Sequence, residues 1–175
     1  MQLVSVVARS EHVVEIGNWP AWYAAVVAAF VLLIGALAVL DARTHRIPNR
    51  IVYPALAAGA IHAFVQPIGP WWSFVAAGVI AGLLLIAIGV ASGGGLGFGD
   101  AKLAAVIGLL TGWPAVLVAL FVAFAAGALV SVALVAAGRL GRREPVPFAP
   151  ALAAGTLIAL AVGDAPARWL WPGLT

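Results

Sequence analysis

"AKLAAVIGLLTGWPAVLVAL", residues 101–120, holds an apolar run of twelve residues, a Gly-Trp-Pro turn and the start of a second, longer run. Whether the first twelve residues cross a membrane decides how often the whole chain does. A span normally takes about 20 apolar residues, with a range of roughly 17–25. Residues 101–112 fall short of that, so their neighbours must settle the matter. Five further apolar runs flank them, at about residues 20–40, 51–66, 71–91, 114–137 and 148–163.

Charge supplies the first test. Seven of the nine Lys and Arg residues lie in three places: Arg43, Arg46 and Arg50; Lys102; and Arg139, Arg142 and Arg143. Cytoplasmic loops carry the excess of basic residues, so all three clusters are expected on that side. Adjacent clusters must then be separated by an even number of crossings. Runs two and three separate the first pair, and runs four and five the second. The count closes only if residues 101–112 cross and Gly112-Trp113-Pro114 is an outside turn. Tryptophan supplies an independent test, because it prefers the membrane interface. All seven (Trp19, Trp22, Trp71, Trp72, Trp113, Trp169 and Trp171) fall at the segment ends opposite the basic clusters.

The fold class expected is an all-α integral membrane protein: six transmembrane helices in one bundle, both termini on the outer side. Residues 1–18 read as an outer-side tail and 19–175 as the membrane domain. Composition agrees. Of 175 residues, 65% are hydrophobic and 9% charged, and the mean hydropathy is +1.14. A soluble domain of that size could not hide so much apolar surface. Continuous apolar runs, rather than alternating ones, exclude a β-barrel. The net charge of +3 reads as loop topology and lipid contact, not as nucleic-acid binding. With no cysteine, disulfides, thiol catalysis and thiolate metal sites are all excluded. Gly78 and Gly82, four apart in run three, permit a close helix approach.

Only two of the six acidic residues stand at a cytoplasmic helix end against apolar sequence: Asp41, after "LLIGALAVL", and Asp100, before "AKLAAVIGLL". An ionisable group beside hydrocarbon is costly and points to function. Each has a plain structural reading too, Asp41 pairing with Arg43 or Arg46 and Asp100 capping helix four. Brought together, two carboxylates cannot both ionise easily, so one keeps its proton and the other its charge. The charged one can deprotonate an attacking water while the protonated one stabilises the developing oxyanion. Such chemistry requires no metal and no cofactor, and none is expected. The glycines of "GGGLGFGDAKL", residues 93–103, leave backbone open to a peptide beside Asp100. A nucleotide loop would need a preceding strand and a Gly-Lys-Ser/Thr ending, which are missing.

These residues resemble a known family. "GFGD", Gly97 to Asp100, is similar to the Gly-x-Gly-Asp signature of intramembrane aspartyl proteases. "DARTHRIPN", Asp41 to Asn49, resembles the first-aspartate motif of the type IV prepilin peptidases, Pro48 and Asn49 included. "GDAKL" continues in the same way through Lys102, and "PFAPALAAG", with Pro147 and Pro150, resembles the last-helix motif. The resemblance runs from about residue 20 to 163.

It implies an aspartic endopeptidase of the prokaryotic inner membrane with Asp41 and Asp100 as its catalytic dyad. The motif residues Gly97, Gly99, Lys102, Pro48, Asn49, Pro147 and Pro150 would support the substrate loop. The implied partners are prepilin and pseudopilin precursors, cut between a basic leader and an apolar helix. Bifunctional members carry an extra cytoplasmic region, often with paired cysteines, and methylate the new N-terminus. Without them this chain is expected to cut only. The alternative is a small proton- or ion-coupled carrier using the same two aspartates. A carrier predicts carboxylates nearer the bilayer midplane and symmetric broken helices. Lys102 reads either as a neighbour tuning Asp100 or as an interfacial lysine. His45 reads as solvated, and His62 as a core or interface residue rather than a ligand.

Overall fold

The computed structural model describes residues 19–93, 96–139 and 146–163. The expected N-terminal tail, Gly94 and Gly95, Arg142, Arg143 and Glu144, and the segment with Trp169 and Trp171 lie outside the described residues. Among the described residues the structure is all helical: α1 (Ala21–Thr44), α2 (Asn49–Val65), α3 (Trp71–Ala91), α4 (Phe98–Thr111), α5 (Ala115–Ala136) and α6 (Ala149–Val162).

Proline punctuates them. Pro20, Pro48, Pro70 and Pro114 immediately precede α1, α2, α3 and α5, and Pro150 lies in the first turn of α6. These are the positions where a missing N–H costs nothing and a preset φ favours entry into the helix. Helices α1, α3 and α5, with 24, 21 and 22 residues, are long and apolar enough to cross a membrane. Helix α4 has 14 residues, about 21 Å of rise against a hydrocarbon core of roughly 30 Å.

Short as it is, α4 sits at the centre. Nine of its 14 residues are buried, and it packs against α3, α2 and α6, while α6 also packs on α1 and α5. The α3–α4 contact is backbone to backbone. A Cβ on Gly108 would stand 2.5 Å from the Ala77 carbonyl carbon, and one on Gly78 would stand 2.7 Å from Leu109 Cγ. Small residues allow this approach, the usual currency of helix association in lipid. The Gly78–Gly82 spacing thus marks a real interface. The outward faces are apolar as well, with Leu32, Phe121 and Leu129 each more than two-thirds exposed. In water that surface would be a liability; in lipid it is the expected one.

Successive helices run in opposite directions. At one end the start of α3 meets the end of α4, where the Ser73 hydroxyl accepts the Trp113 N–H at 3.0 Å. Tyr23 of α1 stacks on His62 of α2 there, with ring centroids 5.6 Å apart. His62 Nδ1–H donates to the Leu109 carbonyl at 3.0 Å, one of the last-turn carbonyls of α4 that a helix end leaves short of partners. His62 is therefore a buried core residue. The described tryptophans belong to this end. Arg43, Arg46, Arg50 and Lys102 belong to the other, where α1 ends and α2 and α4 begin.

Candidate active site

Asp41 stands in the last turn of α1 and is 6% exposed. A carboxylate there faces the negative end of its own helix dipole. The start of α6 offsets this, since the Ala149 N–H donates to Asp41 Oδ2 at 3.3 Å. α1 then stops at His45, exposed as expected and left-handed at φ 50, whose N–H reaches the Asp41 carbonyl at 2.7 Å. That reversal sends Arg46, Ile47 and Pro48 back across the end of the bundle into α2.

Asp100 is the third residue of α4. Its Oδ2 accepts the Gly97 N–H at 3.3 Å, closing the first turn as a helix-start carboxylate does. Its Oδ1 is buried and has no hydrogen-bond partner. The preceding loop folds back onto α3, bringing the Leu96 carbonyl to 2.9 Å from where a Gly89 Cβ would stand. Ala77 with Gly108, Gly82 with Ala105 and Gly89 with Leu96 define one antiparallel register. Continuing it sets Asp100 beside Ile86, five residues and about 7 Å short of the α3 end.

One cavity of about 590 Å³ joins the two aspartates. Leu40, Asp41, Thr44 and the whole turn His45–Asn49 form one wall; Gly97, Gly99 and Asp100 form the other. Gly99 is what lets the walls meet. Ile47 packs directly on it, and a Cβ there would lie 3.0 Å from Ile47 Cβ.

Of the motif residues read from the sequence, Pro48, Asn49, Gly97 and Gly99 all line this cavity. Pro147 and Pro150 flank Ala149 and so hold the turn that presents its N–H to Asp41. Lys102 turns elsewhere. Its ammonium donates to Asn49 Oδ1 at 2.7 Å and to the Tyr53 hydroxyl at 3.2 Å. It also stands 4.6 Å from the centre of the Tyr53 ring. Sequence reasoning missed Ile47, Tyr53 and Ala149. The Ala149 donor is a backbone N–H, which carries no side-chain signature; "PFAP" was its only trace.

The described helices thus form an apolar bundle with two aspartates in one cavity near its basic end. Comparison with known proteins supplies the family. The family model for the type IV leader peptidase family matches residues 25–132, a stretch holding both aspartates, and the chain belongs to that family. It is 38% identical over 135 residues to a prepilin leader peptidase/N-methyltransferase of Bacillus subtilis, covering 77% of this chain and 54% of that protein. A protein of the same description from Aeromonas salmonicida is 31% identical over 158 residues, covering 86% of this chain and 53% of its own length. One from Burkholderia pseudomallei is 36% identical over 152 residues, covering 79% and 47%. The chain thus spans about half the length of the curated relatives it matches. No solved structure matches it significantly.

Proposed function

We propose that this chain is an aspartic endopeptidase that removes the leader from prepilin or pseudopilin precursors at the cytoplasmic face of the inner membrane. The observation that carries the reading is the shared cavity of Asp41 and Asp100 at the basic end of the bundle. In this reading all six helices cross, with both termini on the outer side. The separation of tryptophans from basic residues supports that orientation. Tags that placed the 139–143 loop outside would overturn it.

The two carboxylates divide the work. Asp41 is the base in this reading, its Oδ2 accepting the Ala149 N–H at the start of α6. Asp100 is the acid, because its buried Oδ1 is best satisfied by carrying the proton. Asp41 takes a proton from water as the water oxygen bonds to the scissile carbonyl carbon. The Asp100 proton goes to the carbonyl oxygen as the C–O double bond opens. The tetrahedral intermediate returns a proton to Asp100, and the C–N bond breaks as Asp41 protonates the departing amine. A new carboxyl and a new amine result, and both aspartates are back where they began. A pilin precursor with its apolar helix in lipid and its basic leader outside it would place the cut at this depth.

Co-expression with a candidate prepilin, followed by gel analysis of leader removal, tests the reading. A shortened product that depends on both aspartates is the expected result. An uncut precursor beside correctly inserted protein would favour the carrier reading instead.

A further inference from the structure

Lys102 is an unexpected cation to find beside a carboxylate dyad, because it does not face that dyad. Residues two apart on a helix point to nearly opposite sides. Asp100 faces the cavity, whereas the Lys102 ammonium reaches α2. There it meets the first residue, Asn49, at 2.7 Å, and Tyr53 one turn later by both hydroxyl and ring. The three contacts tie the start of α4 to the first two turns of α2. The Asn49 end of this tie is the last residue of the His45–Asn49 turn that follows the Asp41 helix, and Ile47 within that turn rests on Gly99. The Lys102–Asn49–Tyr53 contact and the Ile47–Gly99 contact therefore both hold the α1–α2 connection against the start of α4. Nothing else described joins the α1–α2 turn to the start of α4 by a polar side-chain contact.

We propose that Lys102, held by Asn49 and Tyr53, is a positioning residue that sets the spacing of Asp41 and Asp100 without touching substrate or either carboxylate. The inference rests on the peptidase reading above. A lysine stem alone would pack equally well with a methyl at its tip, so the charge is what matters here. Arginine, with a planar fork able to reach Asn49 and stack on Tyr53, keeps the tie; methionine keeps the stem and loses it.

The test is cleavage of a purified prepilin by the full chain in detergent or lipid. Lys102→Met should lower kcat at least tenfold with KM changed less than twofold. Lys102→Arg should recover most of kcat. Asn49→Ala should lower kcat in the same way, and Asn49→Ala with Lys102→Met should be no worse than Lys102→Met alone, because one contact is lost once. The natural absence of cysteine allows a decisive complement. Asn49→Cys with Lys102→Cys should be slow, and should regain kcat when a short bifunctional thiol reagent bridges the two sites. Full kcat in Lys102→Met, a rise in KM alone, failure of arginine to rescue, or additive losses would each overturn the inference. If Lys102→Met fails to fold, Asn49→Ala and Tyr53→Phe carry the same comparison. Failure of the unaltered chain to cut any prepilin would instead overturn the peptidase reading, and this inference with it.

Discussion

The Ala149 N–H donates to Asp41 Oδ2 at 3.3 Å, joining the start of the last helix to a carboxylate 108 residues earlier. The bond explains how a buried aspartate can stand at the unfavourable end of its own helix. It also makes the two catalytic candidates unequal, since the partner of Asp100 is its own helix start, Gly97.

Asp41→Asn and Asp100→Asn should each abolish leader cleavage while leaving insertion and unfolding temperature near the parent's. Asparagine keeps the size and much of the hydrogen bonding, but it can neither accept a proton from water nor donate one and recover it. Because the pair acts as a unit, the double variant should be no slower than either single one. Substantial cleavage by either variant would remove the dyad.

Gly99 should prove a spacing residue. Gly99→Val drives a branched side chain into Ile47, which already stands 3.0 Å from the Cβ position, and should slow cleavage tenfold or more. Ile47→Ala in the same chain clears that space and should restore part of the rate, a coupling expected of residues in contact. Independent, additive effects would show that the close approach is unimportant.

His62→Ala strips the Leu109 carbonyl of its donor and leaves a hole among Tyr23, Phe30 and Phe74, which pack on the imidazole. An unsatisfied buried polar group costs about 1–3 kcal/mol, so thermal unfolding should begin measurably earlier. The site lies at the opposite end of the bundle, so kcat of the folded fraction should stay within about twofold. A large loss of kcat at unchanged stability would assign His62 a role in the reaction that its position does not suggest.

The 175 residues should cut a prepilin without methylating it. They align with about half of relatives whose names carry both activities, and we read that half as the peptidase. Labelled S-adenosylmethionine added to the cleavage reaction should leave the product unlabelled. Methyl transfer by this chain alone would refute the assignment.

Much of the architecture was legible in the sequence because its signals are local. A proline opens or enters five of the six helices by removing an N–H that a helix start does not need. Apolar runs require helix by length, and the basic and tryptophan residues sort to opposite ends by solvation alone. Asp41 and Asp100 stood out for the same reason, as charges beside hydrocarbon. The apolar run at 101–112 marks only part of α4, which starts at Phe98, and Asp100 caps its first turn by bonding back to Gly97, as one reading of the sequence had it. What only the tertiary structure decided is who meets whom. That Ala149 faces Asp41, Ile47 covers Gly99, Lys102 turns to Asn49 instead of Asp100, and His62 caps α4 all depend on helix register and depth. Those are set by close backbone approaches such as Gly108 on Ala77 and Gly155 on Ala119, summed with many weak contacts between distant residues, and no single stretch of chain carries that information.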